Sequence, residues 1–142
     1  MLQFIAMEQR MLTSLNYRLT VPSAHSFLVR YLKAAHADKS IVQLSCYILD
    51  GTLLSYDLLR FRPSQLAAAA VFVARKTVGR NPWSPTLGEY ADYDHDEAAD
   101  VARVVLKDRD APHLNLESSA IRKKYANIRY GSVANTQLLC DF

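Results

Sequence analysis

Apolar residues recur at three- and four-residue steps through most of the chain, the period of one helix face turned towards a core. Between about Gln3 and Leu15 the positions Phe4, Ile5, Met7, Met11, Leu12 and Leu15 make one such stripe. Asn16 to Pro22 interrupts it. Val21 precedes a proline and is pushed towards extended geometry, so this stretch is expected to link two helices. The next helix is expected from Ser23, placed to cap free backbone N–H groups, and carries Phe27, Leu28, Tyr31, Leu32 and Ala35 on its buried side. Ala37 and Asp38 break the pattern. Asp38 or Ser40 is then placed to cap a third helix, in which Ile41, Leu44, Ser45, Ile48 and Leu49 lead towards Leu54. Gly51 inside it costs about 1 kcal/mol relative to alanine and is expected to mark a close contact or a bend.

The pattern changes between Gln65 and Val78. Ala67 to Ala70 sit beside Leu66, Val71, Phe72, Val73 and Ala74, so this helix is apolar almost all round. Such a helix is enclosed by others, and its small residues let neighbouring backbones come close. It is expected to be the central helix of the domain. Gly79 to Pro82 ends it, and Ser84-Pro85 opens a short helix through Leu87 and Tyr90. A further helix follows Asp94 and buries Ala98, Val101, Ala102, Val105 and Leu106, with Asp94, Asp96 and Glu97 at its positive end. A last short helix is expected from Ser118 to Tyr125, before a polar tail from Asn127. No segment alternates as a strand does, so the fold class is all-α.

Composition narrows the picture. With 142 residues, half of them hydrophobic and 22% charged, the chain has the size and apolar content of one globular domain. A net charge of +3 is too small to argue by itself for nucleic acid. Cys46 and Cys140 are far apart and read as free thiols, Cys46 as a small core residue. No run reaches the roughly 20 apolar residues that span a bilayer. The apolar start from Met1 to Met7 lacks a basic flank and a cleavage site, so neither a membrane nor a secretory route is expected.

Chemistry is sparse. His25, His36, His95 and His113 show no metal-pair spacing, and neither cysteine has a His or Cys close by in sequence, so no metal is expected. Asp94-His95-Asp96-Glu97 resembles a ligand cluster, but a capped first turn explains it without a cation. Gly51, Gly79, Gly88 and Gly131 are isolated, so there is no phosphate-binding loop, and no Gly-x-Ser-x-Gly elbow occurs. No catalytic residue, cofactor site or enzyme activity is expected. The basic run Ile121 to Tyr125 reads as a solvated helix face, with phosphate contact as the alternative.

Several phrases are familiar in this order. Met7-Glu8-Gln9-Arg10-Met11-Leu12 is followed by Leu15-Asn16-Tyr17-Arg18-Leu19-Thr20-Val21-Pro22-Ser23 and by Phe27-Leu28-Val29-Arg30-Tyr31-Leu32. Pro63-Ser64-Gln65-Leu66 then leads into four alanines, Trp83 to Leu87 precedes Tyr90-Ala91-Asp92-Tyr93, and Ile121 to Tyr125 closes the series. Across about 120 of the 142 residues the chain resembles an A/B-type (mitotic) cyclin: the last helix of a first cyclin box, then a nearly complete second box. Asp92 stands where the resembling phrase usually carries glycine.

The resemblance implies a five-helix cyclin box around a central helix, preceded by one extra helix. Residues 1–19 would be the end of the first box and the link, 20–126 the C-terminal box and 127–142 a tail. It further implies a non-catalytic regulatory subunit of nucleus and cytoplasm that, in the intact protein, binds and activates a cyclin-dependent kinase. By motif position Glu8, Leu12, Tyr17 and Leu19 would contact that kinase. A carboxylate can accept backbone N–H bonds at a helix N-terminus, and apolar residues fill the cleft beside it. The family's partner lysine and its substrate-docking patch belong to earlier helices and are not in this sequence. For isolated leucines, core filling is the competing reading of Leu12 and Leu19. A cyclin-fold transcription-factor-type module that binds DNA or the transcription machinery is the alternative function. Without the rest of a first box, the stripe from Gln3 to Leu15 is expected to drive self-association or helix exchange between copies.

Overall fold

A computed structural model describes residues 2–111 and 119–139. Among the described residues there are seven α-helices and no strand. They are α1 (Leu2–Ser14), α2 (Ala24–Ala34), α3 (Lys39–Thr52), α4 (Pro63–Thr77), α5 (Pro85–Ala91), α6 (His95–Arg109) and α7 (Ala120–Ala126). The chain is all-α, as the periodicity requires.

The expected central helix is α4, against which α2, α3 and α6 all pack. Pro63 opens it at the first turn, where a missing N–H costs nothing, and Gln65 reaches back to the Arg62 N–H at 2.9 Å. Every residue from Leu66 to Arg75 is buried. The alanines explain how: without large side chains, three neighbouring helices can approach one axis. Phe72 supplies bulk, with Trp83 at 6.5 Å and His95 at 5.2 Å between ring centres. The indole N–H of Trp83 donates to the Tyr93 carbonyl at 3.0 Å, so the one tryptophan tacks both ends of α5 together.

Capping follows the sequence in part. Asp38 accepts the Ile41 N–H at 2.9 Å and so starts α3. Asp94 and Glu97 exchange bonds of 2.7 and 2.9 Å, which confirms the acidic run as a capping box. Ser23 occupies the cap position of α2 but makes no side-chain cap bond; its hydroxyl instead faces that of Ser26 at 3.3 Å. Gly51 has open space where a Cβ would lie, and α3 ends one residue later. Of the two expectations, a close contact or a bend, the contact is not met; Gly51 lies beside a helix terminus.

Left-handed backbone appears where helices stop. Asp92 ends α5 at φ +59°, and this accounts for the glycine usual in that phrase. Arg75 is a difference from pattern reading: only 9% exposed, it donates to the carbonyls of Asn81 at 2.8 Å and Ala35 at 3.3 Å. Burial lowers its pKa, and its charge rests on the carbonyl-rich end of α2.

The stretch from Asn127, expected to be a polar tail, is docked as far as the description reaches. Two 3-10 turns, Ile128–Tyr130 and Val133–Asn135, fold it back on α3 and α7, with Val133 and Ala134 buried. Two buried residues are too few to leave a periodic signal, and the docking became visible only in three dimensions.

Candidate protein-interaction site

Helix α1 departs from the rest. From Gln3 to Met11 every residue is exposed, Phe4 to 82%, and Leu12 alone is half-buried. Ile5, Met7, Met11 and Leu15 are exposed as well, so the predicted stripe exists but faces outward. Fully burying one such side chain is worth about 1.5–3 kcal/mol, so this face carries a large unused driving force for association.

The helix ends in a tight reversal. The Tyr17 N–H donates to the Leu12 carbonyl at 2.9 Å, and Asn16 and Tyr17 both sit in left-handed backbone, at φ +49° and +55°. Asparagine tolerates this conformation, whereas a tyrosine there is uncommon. The Leu19 N–H then bonds the Tyr17 carbonyl at 3.1 Å. The reversal leaves the side chains of Tyr17 and Leu19 in solvent, 65% and 60% exposed.

The four residues singled out in the sequence therefore fall into two pairs. Glu8 and Leu12 share a face of α1 at a four-residue step, and Tyr17 and Leu19 lie in the turn tied back to Leu12. Glu8 is exposed and takes part in no ion pair among the described residues. Within this chain Leu19 fills no core, whereas Leu12 is half-buried.

Other candidates resolve differently. His25 and His36 are exposed, His95 meets the Phe72 ring edge-on beside Asp96, and His113 lies outside the described residues. No group of three or more metal-binding side chains occurs among the described residues. Cys46 is half-buried, with its pKa raised by burial and then by Asp50; Cys140 lies outside the described residues.

The basic run at Ile121 to Tyr125 makes bonds within the molecule from Arg122, Lys124 and Tyr125. Arg122 donates to the Ala134 carbonyl at 2.8 Å, and Lys124 to Asp50 at 2.9 Å. Tyr125 donates to the same Asp50 oxygen at 2.9 Å. The bond to Asp50 raises the pKa of Lys124, while burial and then Asp50 push Tyr125 up to about 12. Lys123 and Lys124 remain exposed, as a solvated face requires, while the bonds of Lys124 and Tyr125 to Asp50 also clamp α7 on α3. Sequence reasoning missed the clamp because Asp50 lies 74 residues from Lys124.

The architecture defines a class: an all-α box wrapped on one alanine-rich helix, with an outward-facing helix at its entrance. Residues 22–138 match the family described as Cyclin, C-terminal domain, and the chain belongs to that family. It is 38% identical to Cyclin-A2-2 of Arabidopsis thaliana, over 93% of this chain and 32% of that one. It is 30% identical to Cyclin-B2-2 of Oryza sativa subsp. indica, over 94% of this chain and 32% of that protein. With the G2/mitotic-specific cyclin-2 of Medicago sativa the identity is also 30%, over 96% and 42% respectively. The chain spans about a third of the length of the curated relatives it matches.

Proposed function

We propose that this chain is the kinase-facing edge and second box of a cyclin, a non-catalytic regulatory subunit. In the intact protein it binds and activates a cyclin-dependent kinase during the cell cycle, in nucleus and cytoplasm. The observation that carries the reading is the exposed strip on α1 and the link. Glu8 and Leu12 stand on one helix face, and Tyr17 and Leu19 protrude from the turn below. A carboxylate beside apolar side chains suits the N-terminal end of a partner helix, where backbone N–H groups are free and the partial charge is positive.

The chain alone holds only part of such an interface, so its binding should be weaker than micromolar. Nitrogen-15 NMR with a purified cyclin-dependent kinase tests this. Amide signals of residues 3–19 should broaden on addition of kinase, and Glu8→Lys or Leu12→Ala should weaken the effect at least fivefold. Broadening confined to α6 or α7, or indifference to both substitutions, would refute the assignment. In the absence of kinase, the same strip is proposed to join copies of the chain. Light scattering after size exclusion should then show mass rising with concentration, and a monomer throughout would remove this part.

A further inference from the structure

An apolar groove of about 470 Å³ lies where the start of α2 meets the end of α3 and the 3-10 turn Asp57–Arg60. Leu49, Leu58 and Leu66 line it as buried residues. Leu53, Leu54 and Leu59 line it too, yet all three are exposed, Leu53 to 81% and Leu59 to 69%. The stretch between α3 and α4 thus leaves three leucines in solvent around a ready-made hollow.

The groove also reaches Ser23 and His25. Ser23 makes no side-chain cap bond, so the first backbone N–H groups of α2 stay open to a partner. His25 is exposed and takes part in no ion pair among the described residues. Asp50, the one carboxylate in the lining, is already held by Lys124 and Tyr125. An apolar groove that runs up to an open helix start suits an apolar helix carrying a single carboxylate.

Helix α1 has that form. Phe4, Glu8 and Met11 follow at steps of four and three, and Leu15, whose N–H bonds the Met11 carbonyl at 3.0 Å, continues the line. All four are exposed. The groove of the same chain does not receive them, since α1 stands in solvent from Gln3 to Met11 above the left-handed turn at Asn16 and Tyr17. The link from that turn enters the groove at Ser23, so two facing copies can trade helices about one two-fold axis. Such an exchange covers both apolar faces of each copy and leaves no groove for a third.

We infer that α1 of one copy seats in this groove of a second, with Phe4, Met11 and Leu15 on the leucines and Glu8 at the open start of α2 beside His25. The inference rests on the self-association proposed above and names the surface that receives the stripe. It also makes pairing and kinase capture mutually exclusive, because both use Glu8.

The test is sedimentation equilibrium of the full chain, with isotope-filtered NMR on an equal mixture of carbon-13-labelled and unlabelled copies. The chain should reach the mass of a dimer and go no further. Methyl groups of Met7 or Met11 should show contacts to Leu53, Leu54 or Leu59 of the other copy. Met11→Asp and Leu59→Asp should each weaken pairing at least tenfold, and mixing the two variants should recover part of it, since one then supplies an intact helix and the other an intact groove. Glu8→Lys should weaken pairing at least fivefold, and adding His25→Glu should recover most of that loss. Both aspartates enter exposed positions, and unchanged thermal unfolding of the box separates lost pairing from lost fold.

A dimer that Leu59→Asp leaves intact, with contacts only from α1 to α1, would overturn this inference and keep the self-association reading. A monomer at millimolar concentration would overturn both, and α1 found in the groove of its own chain would overturn the exchange. Failure of the mixed variants or of the Glu8 and His25 pair to recover association would likewise sink it. A dimer with no affinity for kinase keeps the inference and removes the kinase reading; a monomer that binds kinase does the reverse.

Discussion

Replacing Tyr125 by phenylalanine isolates the clamp between α7 and α3. The ring is 4% exposed and packs on Tyr47 at 5.3 Å, a contact phenylalanine keeps. What disappears is the hydroxyl and its bond to Asp50. A hydrogen bond to a charged group contributes about 1.5–3 kcal/mol, so near pH 8 the variant should be less stable by that order.

The same bond sets a pH dependence. Burial and then Asp50 raise the phenol from 10.0 to about 12, so the folded form holds this proton more tightly than the unfolded chain does. The stabilisation is complete below pH 10 and is lost as pH rises towards 12. Two pKa units correspond to about 2.7 kcal/mol, taken as an order of magnitude. Lys124, raised by its bond to Asp50 and further by Tyr125, loses its contribution in the same direction, so the part that depends on the Tyr125 hydroxyl stays in the difference and adds to the narrowing. Urea unfolding followed by circular dichroism at pH 8, 10, 11 and 12 should therefore show the gap between parent and Tyr125→Phe holding from pH 8 to about 10 and narrowing above it. Phenolate absorbance should lose a late-titrating group, with Tyr31, also raised by burial, still titrating late. A gap that stays constant across this range would refute the reasoning.

Three further substitutions probe other joints of the box. Asp92→Gly relieves left-handed backbone at the end of α5 and should raise stability by about 0.5–1 kcal/mol, read as a higher midpoint in thermal unfolding. Arg75→Ala strands the carbonyls of Asn81 and Ala35 and should cost about 2–4 kcal/mol, and Arg75→Lys should not restore the loss because the two-carbonyl geometry needs a guanidinium. Ala69→Leu forces three extra carbons into a fully buried site on α4 and should destabilise by about 1–3 kcal/mol or more, measured by urea midpoint. An unchanged midpoint there would mean that α4 is not tightly enclosed.

The parts of the fold legible in the sequence are those written in local periodicity. The stretch from Leu66 to Ala74 is apolar on every side, and that alone placed it at the centre. Asp38 and Asp94 announced helix starts because a cap acts within one turn. What stayed hidden depends on distance along the chain. Arg75 reads as a surface cation until Ala35 and Asn81 are brought to it, and Lys124 reads as unpaired until Asp50 arrives from α3. Of the proposed interaction strip, the residue types were visible in the sequence. Its outward orientation was not, because an apolar stripe looks the same whether or not a neighbour covers it.

None of the buried core among the described residues comes from α1, so the interior of the box closes without that helix. Thirteen residues make a helix that is only marginal in water when nothing packs on it. Whatever seats on α1 therefore draws on a helix–coil equilibrium of its own, decoupled from the melting of the box. Its apparent affinity scales with the fraction of time those residues spend wound. A substitution that merely favours winding, at a position no partner touches, would tighten capture by the same factor and leave the melting temperature of the box where it was.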